Sequence, residues 1–192
     1  MRPLLLLLTA AAVPLSACMT SNVWTNSKST AIQQLVTSRA TDRAFEKIQW
    51  PDLGGGKVFV RVGATPDYHE TGYLAEAAAV EVARHGGRPV ADQADADYVL
   101  TVLAGSYGTV QNDTFVGIPS VQSALVPVVA TPEVALYKST RQNGIVNAHL
   151  VLWDARKGGV IFDSGPQAGE SQWTQYGVLF FGFHHTDAEP QP

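Results

Sequence analysis

Cysteine is nearly missing from this chain: Cys18 is the only one in 192 residues. No disulfide can form within one molecule, and no pair of thiols can hold a metal or run redox exchange. The fold must therefore stand on its hydrophobic core. Charge is sparse too, at 16% of residues, and it is not basic. Thirteen Lys and Arg stand against 17 Asp and Glu, for a net charge of −4. That balance lacks the cationic footprint that a phosphate backbone demands, so nucleic acid is not an expected partner. The N-terminal apolar stretch is about ten residues, half of the roughly 20 that a helix needs to cross a bilayer. Catalytic motifs are missing as well. Ser106 lies in Gly105-Ser106-Tyr107-Gly108, which is not the elbow that presents a serine nucleophile. The triple glycine at 54–56 is not followed by Lys-Ser or Lys-Thr, so it does not read as a phosphate cradle. The expectation is a protein that is not an enzyme and carries no cofactor.

What is present begins at the N-terminus. Arg2 is the only charge before Lys28, and Leu4 to Leu8 open an apolar stretch that runs to Val13. Pro14 then breaks any helix, because it lacks the backbone N–H. Charged start, short apolar core and small residues together read as an export signal over residues 1–17. The next four residues, Leu15-Ser16-Ala17-Cys18, resemble the bacterial lipobox. That resemblance implies cleavage between Ala17 and Cys18, a diacylglycerol on the Cys18 sulfur and an acylated new amine, with palmitate among the acyl chains. The chemistry suits the residue, because a thiolate is the side-chain nucleophile best fitted to alkylation near neutral pH. Two or three acyl chains hold a protein almost permanently to a membrane. Loss of Arg2 with the signal takes the net charge from −4 to −5. Residue 19 is Met rather than Asp. By resemblance to enterobacterial sorting, this implies the outer membrane, with the protein facing the periplasm and membrane lipid as its partner through Cys18.

The mature chain then divides into a polar tether at 18–29, one α/β domain at 30–185 and a polar tail at 186–192. Residues 30–49 lack Gly and Pro, and Ile32, Val36, Ala40, Ala44 and Ile48 recur every fourth position beside Leu35 and Phe45; this predicts a helix with a winding apolar stripe. Val58, Val60 and Val62 alternate with polar or larger neighbours, the pattern of a strand. Residues 73–85 predict a second helix, with Ala75, Ala78, Ala79 and Val82 as its inner face and Gly86-Gly87 as its stop. A short strand is expected at 88–91 and a long one at 98–110, with Asp92, Asp95 and Asp97 in a polar turn between them. Residues 144–154 and 159–164 predict a hairpin, and another strand runs from Glu170 into Leu179. Residues 112–142 read as an apolar insertion punctuated by Pro119, Pro127 and Pro132, uncharged from Thr114 to Pro132. The fold class expected is α/β (α+β): a small mixed, largely antiparallel sheet with about two helices on one face.

Two resemblances bear on this plan. Gln34-Leu35-Val36-Thr37-Ser38-Arg39-Ala40 with Asp42-Arg43-Ala44, and later Pro132-Glu133-Val134-Ala135-Leu136-Tyr137, resemble a family of uncharacterised bacterial envelope lipoproteins. The helix ending in Gly86-Gly87, then Arg88-Pro89-Val90 and Ala96-Asp97-Tyr98-Val99-Leu100, is similar to a pattern in periplasmic lipoproteins of the curli-secretion and peptidoglycan-synthase-activator type. Neither resemblance implies an activity. Three candidate features remain. Arg39 and Arg43 lie a turn apart on the first helix and could form a partner face. His184 and His185, with Asp187 and Glu189, could hold a metal. His69 and His149 have no sequence-local partner. The expectation is an outer-membrane-anchored lipoprotein that binds an envelope protein. Its alternatives are an oligomeric structural or secretion protein using 112–142, and a carrier of metal or a small ligand.

Overall fold

The computed structural model describes residues 18–25, 30–63, 71–119, 121–122, 130–131, 133–179 and 181–188. The expected export signal at 1–17, His69 and Glu189 lie outside the described residues. Among the described residues, two α-helices, α1 (Ala31–Glu46) and α2 (Gly72–Arg84), accompany nine strands. The strands are β1 (Cys18–Thr25), β2 (Lys57–Gly63), β3 (Arg88–Val90), β4 (Tyr98–Ile118), β5 (Val121–Gln122), β6 (Ala130–Thr131), β7 (Val134–Asp154), β8 (Val160–Val178) and β9 (Phe181–Thr186). The main sheet runs β3-β2-β4-β7-β8-β9, with β1 also on β4, while β5 and β6 pair only with each other. β2 is parallel to both β3 and β4, and the remainder is mostly antiparallel. The fold is mixed α+β, as the sequence predicts. β2 pairs with Tyr98–Leu103 of β4.

The chain forms two compact units, here the α/β unit and the strand unit. The α/β unit takes its described residues from 24–110, 142–173 and 186–188. Helix α1 starts at a capping box. Thr30 Oγ1 accepts from the Gln33 N–H, and the Thr30 N–H donates to Gln33 Oε1 at 2.7 Å; two of the four orphan N-terminal donors are thereby satisfied. The predicted stripe is buried through Val36, Ala40, Ala44 and Ile48. It lies unusually close to the sheet. A Cβ on Gly144 of β7 would sit 2.2 Å from the Val36 carbonyl oxygen, and one on Gly169 of β8 would sit 1.9 Å from that of Ala40. Helix α2 buries Leu74, Ala78 and Val82, not Ala75 and Ala79, which are only half-buried. Leu74 is the larger anchor, and it turns the buried face by about one residue position. Gly86, at φ +80°, ends the helix, and the Gly87 N–H returns to the Val82 carbonyl at 2.8 Å, the left-handed cap that the glycine pair predicts. Val58, Leu100, Val102, Val146, Ala148, Leu150 and Leu152 complete this core. Burying each large aliphatic side chain is worth about 1.5–3 kcal/mol.

The aspartates at 92–97 form the expected polar turn. Asp92 Oδ1 accepts from the Ala94 N–H at 2.9 Å, and Asp97 Oδ2 accepts from the Lys57 N–H at 3.1 Å.

The strand unit takes its described residues from 18–23, 111–141 and 174–185. Much of it comes from the segment read as an insertion. β4 continues to Ile118 and β7 already begins at Val134. All three prolines of the segment fall between these strands, at 119, 127 and 132. Proline cannot donate to a ladder, so it marks where the strands stop, and the proline-free flanks stay in the sheet. β8 likewise joins what reads as two strands. It passes through Gly165 (φ +61°) and Pro166, where the Gly165 N–H donates to Asp163 Oδ1 instead of the ladder. The stretch expected as a tether contains β1, and the stretch expected as a tail contains Asp187 and Ala188.

Candidate functional site

Three polar constellations meet in the α/β unit. The first joins helix α1 to the C-terminal part of the chain. One Arg43 guanidinium nitrogen donates to Asp187 Oδ2 at 2.8 Å and to the Glu170 carbonyl at 2.7 Å; the other donates to the Asp187 carbonyl at 2.7 Å. The remaining Asp187 oxygen accepts from the Gln172 N–H at 2.6 Å and the Ser171 hydroxyl at 3.1 Å. Burial pushes the Asp187 carboxyl up, but the Arg43 hydrogen bond, the Gln172 and Ser171 donors and the Arg43 charge outweigh it and hold the carboxyl below its ordinary value. Charge-assisted, forked contacts of this kind fix orientation as well as energy. The adjoining Ala188 is buried, so residues 186–188 of the expected tail are part of the α/β unit.

The second joins the helices. The Tyr73 hydroxyl of α2 donates to Asp42 Oδ1 of α1 at 2.8 Å. Burial, then the Asp42 bond and its charge, push the Tyr73 phenol up to about 12. The third lies on the β7–β8 hairpin, where His149 Nε2 meets Asp163 Oδ1 at 2.5 Å. The Gly165 N–H, then His149, hold the Asp163 carboxyl below its ordinary value. Each constellation ties two elements together.

The strand unit is of a different character. Ile118, Val134, Leu136, Val178, Leu179, Phe181 and Phe183 all stand exposed there, with Phe181 at 78% and Ile118 at 63%. They occupy the adjoining ends of β4, β7, β8 and β9. The Leu179 N–H donates to the Leu136 carbonyl at 3.1 Å, and the Tyr176 and Phe183 rings stack with centroids 5.1 Å apart. Leu179 adopts φ +53° in the turn between β8 and β9, a left-handed conformation uncommon for a branched residue. Exposed apolar side chains gathered in one unit mark an interaction site more often than singly scattered ones do.

The residues singled out in the sequence fall as follows. Cys18 opens β1 in the strand unit. Arg43 is engaged by Asp187, and Arg39 lies 3.6 Å from Glu46 on the same helix; the structure does not bring the two arginines to a common ligand. His184 and His185 lie exposed on β9, while Asp187 serves Arg43. Among the described residues, no three His, Cys, Asp or Glu side chains are grouped to hold a metal ion. No helix among the described residues is long and apolar enough to cross a membrane. The sequence reading missed the exposed apolar ends of β8 and β9. Their signal is a second uncharged stretch, between Glu170 and Asp187, that matches the one at 114–132. No protein-family model matches the chain, and no curated protein matches it.

Proposed function

We propose that this chain is a lipid-anchored envelope lipoprotein, held through Cys18 in the outer membrane and facing the periplasm, that acts by contact with an envelope protein and not by catalysis. The observation that carries the reading is Leu15-Ser16-Ala17-Cys18 directly after a short apolar stretch. The start of β1 at Cys18 supports it, because the acylated residue is then part of the sheet and the folded chain is held close to the membrane. The polar constellations support the contact role, since Arg43–Asp187, Tyr73–Asp42 and His149–Asp163 are each accounted for as fastenings between elements. In cells fed labelled palmitate, the protein takes up label and fractionates with the outer membrane, and Cys18→Ser abolishes both. Label that survives Cys18→Ser overturns the anchor. Crosslinkers placed on exposed positions of the α/β unit recover one recurrent envelope protein; repeated recovery of none overturns the contact role.

A further inference from the structure

We infer that the strand unit is a lipid-contacting surface: the exposed apolar ends of β4, β7, β8 and β9 seat in the bilayer to which Cys18 is tethered. The inference rests on the lipidation reading for its placement, but not for its driving force.

Four observations carry it. The first is the concentration of exposed apolar side chains described above, seven large ones within one unit. The second is charge. Segments 18–23, 114–132 and 174–185 of this unit contain no Asp, Glu, Lys or Arg. Charges remain at Asp113, Glu133, Lys138 and Arg141. Glu133 and Lys138 pair at 3.2 Å, and Asp113 accepts from the Gln111 amide at 2.8 Å. Protein interfaces surround an apolar centre with a polar rim and favour Arg within it; a lipid surface asks for neither, and ionised groups at depth are costly there. The third is the aromatic content. Tyr176, stacked on Phe183, is a ring type that settles where headgroups meet acyl chains, and the exposed Phe181 and Phe183 suit the apolar side of that boundary. The fourth is position. Cys18 begins a strand that pairs with β4 and belongs to this same unit, so acyl chains on Cys18 would tether this unit directly to the membrane.

The test uses the mature chain carrying Cys18→Ser, which has no acyl group, and vesicles of phosphatidylcholine. The unacylated protein floats with the vesicles. Phe181→Ser/Phe183→Ser lowers the bound fraction at least tenfold while circular dichroism shows the fold retained. Val160→Ser/Ile161→Ser, which removes exposed apolar side chains from the α/β unit, leaves binding unchanged. Unacylated protein that stays off the vesicles, whether as a monomer or as a self-associated species, overturns the inference. So does vesicle binding that the Phe181/Phe183 change does not alter. Failure of palmitate uptake alone would instead overturn the anchor, because vesicle binding here is measured without it.

Discussion

Arg43 shows how much a single side chain can organise. Its fork reaches one carboxylate and two carbonyls across 127 and 144 residues of sequence. The Asp187 carboxyl is held below its ordinary 3.8. A carboxyl depressed in the folded state adds stability above its unfolded value, and that stability is lost as pH falls through the folded one. Asp187→Asn should therefore lower the urea midpoint near neutral pH by the equivalent of about 1 kcal/mol, a modest figure because the carboxylate is about half exposed. The difference from wild type should vanish in acid, below the carboxylate range. A difference independent of pH would mean that the charge is not what holds the contact. None of this was legible in the sequence. Arg43 reads there as a solvent-facing or partner-facing arginine, because its acceptor lies at the far end of the chain. His149 and Asp163 were hidden for the same reason: a cross-strand pair depends on register, which spacing alone does not set.

At the scale of elements, the closeness of α1 to the sheet is the decisive feature. Gly144 and Gly169 are small because the helix backbone lies directly over them. Gly169→Ala would drive a methyl into the Ala40 carbonyl and the Ala44 amide nitrogen. Neither is the movable end of a side chain. Overpacking of this kind costs about 1–3 kcal/mol, which thermal unfolding should report; an unchanged transition would show that the helix can lift away freely. The helices themselves could be read from periodicity and from Gly86-Gly87, and the Thr30/Gln33 box was there to be read. The strands at 98–110, 144–154, 159–164 and 170–179 could be read as well, but not the continuation of β4 through 111–118 or of β7 back to Val134. Periodicity weakens there because polar runs, Asn112-Asp113-Thr114 in β4 and Lys138 to Asn143 in β7, interrupt the apolar alternation. The prolines at 119–132 then drew attention to a break that belongs to the connection between β4 and β7 and not to the strands.

At the scale of the molecule, the distribution of charge outweighs its total. A net charge of −4 excludes little beyond nucleic acid, whereas the uncharged segments of the strand unit define a surface. Vesicle association driven by that surface should persist when salt is raised from 0.05 to about 0.5 M, because apolar burial is not screened, whereas charge attraction fades beyond a Debye length of about 10 Å at 0.1 M. Binding that collapses with salt would indicate headgroup attraction instead. The fold class followed from the sequence because it depends on local patterns. The surface did not, because an apolar strand residue gives no sign of whether a neighbour covers it.

The bond between Arg43 and Asp187 also orders events in time. Its partners are 144 residues apart, and closing so long a loop carries an entropic cost that grows with the logarithm of its length. In synthesis from the N-terminus, helix α1 is complete long before Asp187 is added. Until then α1 is seated by its apolar stripe, the Tyr73–Asp42 bond and the Lys47 contact with the Ala168 carbonyl, without the Arg43 fastening. The fastening is therefore a late one: it joins α1 to a residue that follows β9 in the chain.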